Sequence, residues 1–180
     1  GDLWDAFDGL TAVNGNDDIA VDFSVDLAQT ASAGNNSFFY TSPELMDGLT
    51  VSGSYQPQGT GIESGTGYGV TYTGVDGLTV KYAVADVVGT DTDSSGDNTV
   101  MYASYVYGPV TVTMTSMEHD ENLAAGTSDV DSDSMAISYS ITDDLSVTYG
   151  QEEHDKGGQT LGAEIEGVSF SYTTGGMTIT

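Results

Sequence analysis

Cysteine and arginine are both absent from these 180 residues. Without cysteine there is no disulfide, no thiolate metal site and no dependence on redox compartment. Lys81 and Lys156 are the only basic side chains beside two histidines, against 28 Asp and Glu, and the formal charge is −26. That balance excludes nucleic acid as a partner, because phosphate contacts need Lys and Arg. No apolar run approaches the roughly 20 residues of a membrane-spanning helix. The opening Gly1-Asp2-Leu3-Trp4-Asp5 carries neither the basic nor the apolar region of a signal peptide, which fits a cytoplasmic protein, a mature secreted one or a fragment. A surface this acidic attracts cations and tolerates salt, so the expected partners are cations and polar solutes.

What the chain does have is glycine, 24 residues, and tyrosine, 11, among scattered Thr and Ser, a composition of short strands and turns. One pattern recurs: Met46-Asp47-Gly48-Leu49-Thr50-Val51, Val75-Asp76-Gly77-Leu78-Thr79-Val80, Tyr107-Gly108-Pro109-Val110-Thr111-Val112, Thr142-Asp143-Asp144-Leu145-Ser146-Val147 and Thr174-Gly175-Gly176-Met177-Thr178-Ile179. Each reads as a tight turn opening a strand, since Asp-Gly and Gly-Gly pairs supply positive φ and the residues after them alternate with a period of two. The repeats begin 29, 32, 35 and 32 residues apart, counted from Leu49 through Leu78, Val110 and Leu145 to Met177. Along each strand one face is apolar. Leu49, Val51, Gly53 and Tyr55 oppose Thr50, Ser52, Ser54 and Gln56, and Leu78, Val80, Tyr82 and Val84 oppose Thr79, Lys81, Ala83 and Ala85.

The connections alternate in length. Two- or three-residue turns exchange with longer acidic links at Pro57 to Gly65, Asp86 to Asp97, Glu118 to Asp133 and Glu152 to Gly158. Short turns at one end of a sheet and long loops at the other describe an up-and-down meander of the kind found in membrane barrels. Tyr72, Tyr105, Tyr139 and Tyr172 stand near one level, with Tyr55, Tyr82 and Tyr149 at a matching depth on returning strands. Such rings suit a membrane interface, and tyrosine is also simply a good strand former. Leu161, Ala163 and Ile165 are out of phase with Val168, Phe170 and Tyr172, which predicts a bulge or turn at Glu166-Gly167.

The stretch Asn36-Ser37-Phe38-Phe39-Tyr40-Thr41-Ser42-Pro43-Glu44-Leu45, followed by Asp47-Gly48-Leu49, resembles the strand after the inward-folded third loop of Gram-negative general porins. The resemblance implies an all-β fold, an antiparallel up-and-down meander forming part of a transmembrane β-barrel. It divides residues 1–180, a single partial barrel domain, into an acidic segment over 1–35 that resembles the constriction loop and a hairpin meander over 36–180. Asp2, Asp5, Asp8, Asp17, Asp18, Asp22 and Asp26 would then narrow the pore, the ring-of-charge route to ion selectivity. The bland reading is a solvated acidic loop, and Ile19, Val21, Phe23 and Val25 alternate in a way that fits a strand. The family sets a basic cluster on the wall facing that loop. Here Lys81 alone stands as a pore-facing base, so a pore should prefer cations. The resemblance also implies outer-membrane lipid as surroundings and a homotrimer as assembly. A final strand three or four residues long, with no terminal aromatic strand, reads as an internal fragment, and an unclosed sheet in lipid leaves backbone groups unpaired.

Sites of other kinds are thin. Asp91-Thr92-Asp93-Ser94-Ser95-Gly96 resembles the first half of a calcium loop, but Tyr102 stands where a bidentate Glu is required, and Asp129, Asp131 and Asp133 lack even the glycine. Glu118-His119-Asp120 and Glu153-His154-Asp155, 35 residues apart, are expected at equivalent rim positions two strands apart, where two imidazoles and several carboxylates would share an ion, or merely end two strands in water. No specific metal site and no cofactor is assigned. Catalytic patterns are missing: there is no Gly-x-Ser-x-Gly elbow, no His-Glu-x-x-His, no phosphate loop and no dinucleotide fingerprint, so the chain is read as a non-enzyme. The expected function is passive diffusion of small hydrophilic solutes and ions through a water-filled pore in the cell outer membrane. The alternatives are a soluble secreted or surface-layer β-sandwich module with acidic cation-binding loops, and an adhesive or phage-receptor role for those loops.

Overall fold

The computed structural model describes residues 38–57, 64–87, 96–121, 129–157, 162–174 and 177–179. They form ten strands and, among the described residues, no helix: β1 Phe38–Thr41, β2 Leu49–Gln56, β3 Gly65–Tyr72, β4 Leu78–Val87, β5 Gly96–Tyr107, β6 Val110–Glu121, β7 Val130–Ser140, β8 Leu145–Lys156, β9 Ala163–Thr174 and β10 Met177–Ile179. All ten lie in one sheet in chain order, each antiparallel to the next, which is the up-and-down meander of a barrel wall. Eight of them, β2 to β9, are 8 to 12 residues long, the longer ones enough to cross a bilayer when tilted.

The recurring turns are the nodes of this sheet. Gly48, Gly77 and Gly108 all have positive φ, at 72°, 75° and 57°, a region L side chains rarely occupy. At Gly48 and Gly77 the restriction is doubled: a Cβ would sit 2.1 Å from the Gly74 nitrogen and 2.3 Å from the Val106 oxygen. The Leu49 and Leu78 amides close their turns on the Met46 and Val75 carbonyls at 2.9 Å, and the Gly48 and Gly77 carbonyls accept from Thr73 and Val106 at 2.8 Å. Each turn thereby ties its own hairpin to the strand beyond.

Register reveals the tilt. Starting at Leu49, the first residue of β2, the hydrogen-bonded row runs through Tyr72, Val80, Ala103, Met114 and Met135 to Gln151 on β8. Gln151 stands six residues beyond Leu145, the first residue of β8, after six strands, a shift of one residue per strand. With ~3.3 Å along the strand for each ~4.8 Å across it, strands whose turns share one level lean by about 35°, the inclination of membrane barrels.

The strands run further than their composition suggested. Asp86, Asp97, Glu118 to Glu121, Asp131 to Asp133 and Glu152 to Lys156, expected in loops, are paired strand residues. The backbone ladder satisfies itself whatever the side chains, and a carboxylate facing solvent costs the strand little. Nor is there a bulge at Glu166-Gly167: β9 pairs without a skip, Gly150 with Gly167 and Gln151 with Glu166. The change of phase is a change of polarity, because beyond Gly167 the outward positions become Glu166 and Glu164 while Ile165 and Ala163 turn inward. The segment 1–35, with its seven aspartates, and residues 91–95 of the calcium-like stretch lie outside the described residues.

Candidate functional site

Directly paired residues of antiparallel strands share a face, so the register sorts the whole sheet into two surfaces. One carries Leu49, Val51, Leu78, Val80, Met114, Ile137, Val147, Val168 and Phe170. The other carries Thr50, Ser52, Thr113, Thr115, Ser132, Ser134, Ser138 and Thr148. In a water-soluble sandwich the apolar face would be the buried one. Here it is open: Phe170 is 61% exposed, Val168 59% and Met114 54%, whereas Thr115 is 4% and Ser132 7% exposed. An exposed apolar sheet of this extent needs an apolar surrounding.

The sheltered face holds its polar groups in cross-strand contacts. Hydroxyls pair at Ser138–Thr148, 2.7 Å, and Thr173–Thr178, 3.0 Å. Lys81 lies on this face, flanked by Thr71 and Tyr102, with its Nζ 5.9 Å from the centroid of the Tyr102 ring, a cation–π distance. His119 Nδ1 is 2.6 Å from Asn98 Oδ1. Glu152, 4% exposed, and His154, 7% exposed, follow on β8, with His154 Nε2 2.7 Å from Glu152 Oε1. That approach lies off the line a hydrogen bond requires, and among the described residues neither ring nitrogen of His154 has a hydrogen-bond partner.

The paired His motifs do not converge as expected. His119 is opposite Val130, which is opposite Lys156, so it stands one step of two residues away from the row of His154. The one-residue shear per strand produces that offset across two strands. The flanking Glu118, Asp120, Glu153 and Asp155 point to the other face, away from both imidazoles. Among the described residues no three His, Asp or Glu gather round one point. What sequence reading missed is the Glu152–His154 pair; counting by twos from Ser146 places both on the polar face, a signal hidden by treating Glu153-His154-Asp155 as a rim cluster.

Acidic side chains are instead gathered on the outward face, past the end of the apolar residues. Asp86, Asp97 and Asp120 form one row, Glu118, Asp131 and Asp155 a second, and Asp133, Glu153 and Glu164 a third. Asp97, beyond the apolar span, titrates above the ordinary carboxylate range, through partial burial first and then the charge and hydrogen bond of Asp86 and the charge of Asp120.

A ring-level order appears at the opposite, short-turn end. Tyr72, Tyr105, Tyr139 and Tyr172 each pair with the first residue of a repeat, Leu49, Leu78, Val110 and Leu145, and so occupy one level on the outward face. Tyr82 and Tyr149 match each other four residues above the strand start; Tyr55 sits six above it and breaks the expected set.

A model of the Gram-negative porin family matches residues 1–179. The chain belongs to that family. Its exposed apolar face, tyrosine level and tilted meander are then the outer wall of a porin, and the sheltered Thr and Ser face is its inner wall. No curated protein matches the chain.

Proposed function

We propose that this porin forms a water-filled outer-membrane pore for passive diffusion of small hydrophilic solutes and ions, with preference for cations, and that it catalyses no reaction. The observation that carries the reading is the inverted shelter of the sheet, with hydroxyls covered and large apolar side chains open. Lipid supplies the surrounding that the apolar face needs, and the wall of Thr and Ser offers hydrogen bonds to water and solutes.

Cation preference draws support from the charge of −26 and from the acidic segment 1–35 at the head of the chain. On the described strands the outward face takes nearly all the carboxylates, while the inner face carries Lys81, Lys156, His119 and the Glu152–His154 pair. Selectivity is therefore assigned to Asp2, Asp5, Asp8, Asp17, Asp18, Asp22 and Asp26 acting as a constriction, with Lys81 as the opposing wall charge. Trimeric assembly follows from family resemblance alone.

Planar-bilayer recordings test this. The expected result is ohmic, water-filled conductance with a cation-sign reversal potential in a salt gradient, lowered when the seven aspartates become asparagine and raised by Lys81→Gln. A protein that stays monodisperse in detergent-free buffer and adds no conductance contradicts the pore, and unchanged reversal potentials in the Asp→Asn variant contradict the constriction.

A further inference from the structure

We propose that Glu152 and His154 form a binding site for a first-row divalent transition metal, such as Cu²⁺, Ni²⁺ or Zn²⁺, set in the inner wall of the barrel. The two side chains are two residues apart on β8 and therefore project from the same face, both more than nine-tenths buried. Among the described residues this buried imidazole has a hydrogen bond at neither nitrogen, Nε2 meeting only the off-line Glu152 carboxylate, a costly arrangement that ordinarily has a ligand or water to complete it. Imidazole nitrogen with carboxylate oxygen is a donor set suited to these metals and poorly suited to calcium or magnesium.

The spacing agrees. Two ligands held at right angles about one ion, each at roughly 2.0–2.1 Å, stand about 2.9 Å apart, and Nε2 and Oε1 stand 2.7 Å apart. A movement of a few tenths of an ångström opens the pair around an ion, and water completes the sphere. Ser132 and Ala163 flank His154 on β7 and β9, while Ser134 and Ile165 flank Glu152, so the small side chains stand on the His154 side, where that water would enter. The other histidine is committed elsewhere, at 2.6 Å from Asn98. The outward carboxylate rows attract cations too, but hold no imidazole.

Metal binding at this pair does not depend on the pore reading; only its effect on current does. A bound dication would place positive charge on the wall and depress cation flow. The test uses the full-length protein refolded in detergent with one equivalent of Cu²⁺ and pulsed electron paramagnetic resonance, which detects the remote nitrogen of a coordinated imidazole. Imidazole modulation is expected in the unaltered protein and in His119→Gln, lost in His154→Gln and His154→Asn, and a Glu152→Gln variant should bind at least about tenfold more weakly. Heat-modifiable migration verifies that each variant folds. Modulation that survives in both His154 variants, or is missing from the unaltered protein, overturns the site. In bilayers, micromolar Cu²⁺ should lower the current of the unaltered protein and spare that of His154→Gln; binding without any change in current overturns the placement on a conducting wall and leaves the metal site standing.

Discussion

The short-turn half and the long-loop half of the same strands obey opposite rules. On β7, Ile137 and Tyr139 face outward in the first half, while Asp131 and Asp133 occupy the same outward face in the second. The inner face shows no such reversal: in the long-loop half Val100, Ala136 and Ile165 stand among Asn98, Ser132, Ser134, Glu152 and His154. Period two persists throughout, so only the medium outside has changed, from hydrocarbon to an aqueous, charge-tolerant layer. Polarity along a membrane strand thus records depth as well as face.

The strongest way to break that comparison is to put one charge at both depths. Ile137→Arg, in the apolar belt, should cost about 2–4 kcal/mol of stability, and Asp133→Arg, four residues along the same face, about 0–1 kcal/mol. Urea titration of refolding in lipid vesicles measures both, and equal costs would show that the two halves share one medium. The turns come next. Gly77→Ala meets both a φ of 75° and the Val106 carbonyl, whereas Gly108→Ala meets open space and pays only for a φ of 57°. The second should cost about 1–2 kcal/mol, the first clearly more, because backbone must also move. Equal midpoints in the same titration would remove the steric half of the argument.

The smallest effect belongs to the acidic half. Asp97 has its pKa raised by burial and by Asp86 and Asp120, so the folded chain holds this proton more tightly than the unfolded one. Stability from this group is present at acid pH and lost as pH rises through the raised value, which leaves a small repulsion at neutral pH. Asp97→Asn should therefore stabilise the protein at pH 7 by a few tenths of a kcal/mol at most, given exposure and screening. The gain should shrink in high salt and vanish near pH 3, and a loss of stability at low salt would contradict it.

Most of the architecture was legible in the turn repeats. Asp47-Gly48 and Asp76-Gly77 announce their strands because the positive φ and the period of two are local properties. Strand ends were less legible: Asp120, Asp155 and their neighbours look like loop residues until pairing shows which side of the sheet they occupy. The phase shift at Glu166-Gly167 looked like a bulge for the same reason, since a change of surroundings and a change of register leave similar traces in one strand read alone. The shear that separates His119 from His154 arises between strands and has no local signature. Among the expected site residues, Lys81 lies on the hydroxyl-bearing face of the sheet, opposite Thr71 and Tyr102, while its part in a pore and that of the seven aspartates of 1–35 are proposals.

Absence of native cysteine makes the central claim directly measurable by single-cysteine labelling on β8. In lipid vesicles a charged, water-soluble thiol reagent should modify Ser146→Cys and Thr148→Cys and reduce conductance, while Val147→Cys and Tyr149→Cys remain unreactive behind lipid. Equal reaction at all four positions, or reaction confined to Val147→Cys and Tyr149→Cys, would contradict a porin wall with water inside and lipid outside.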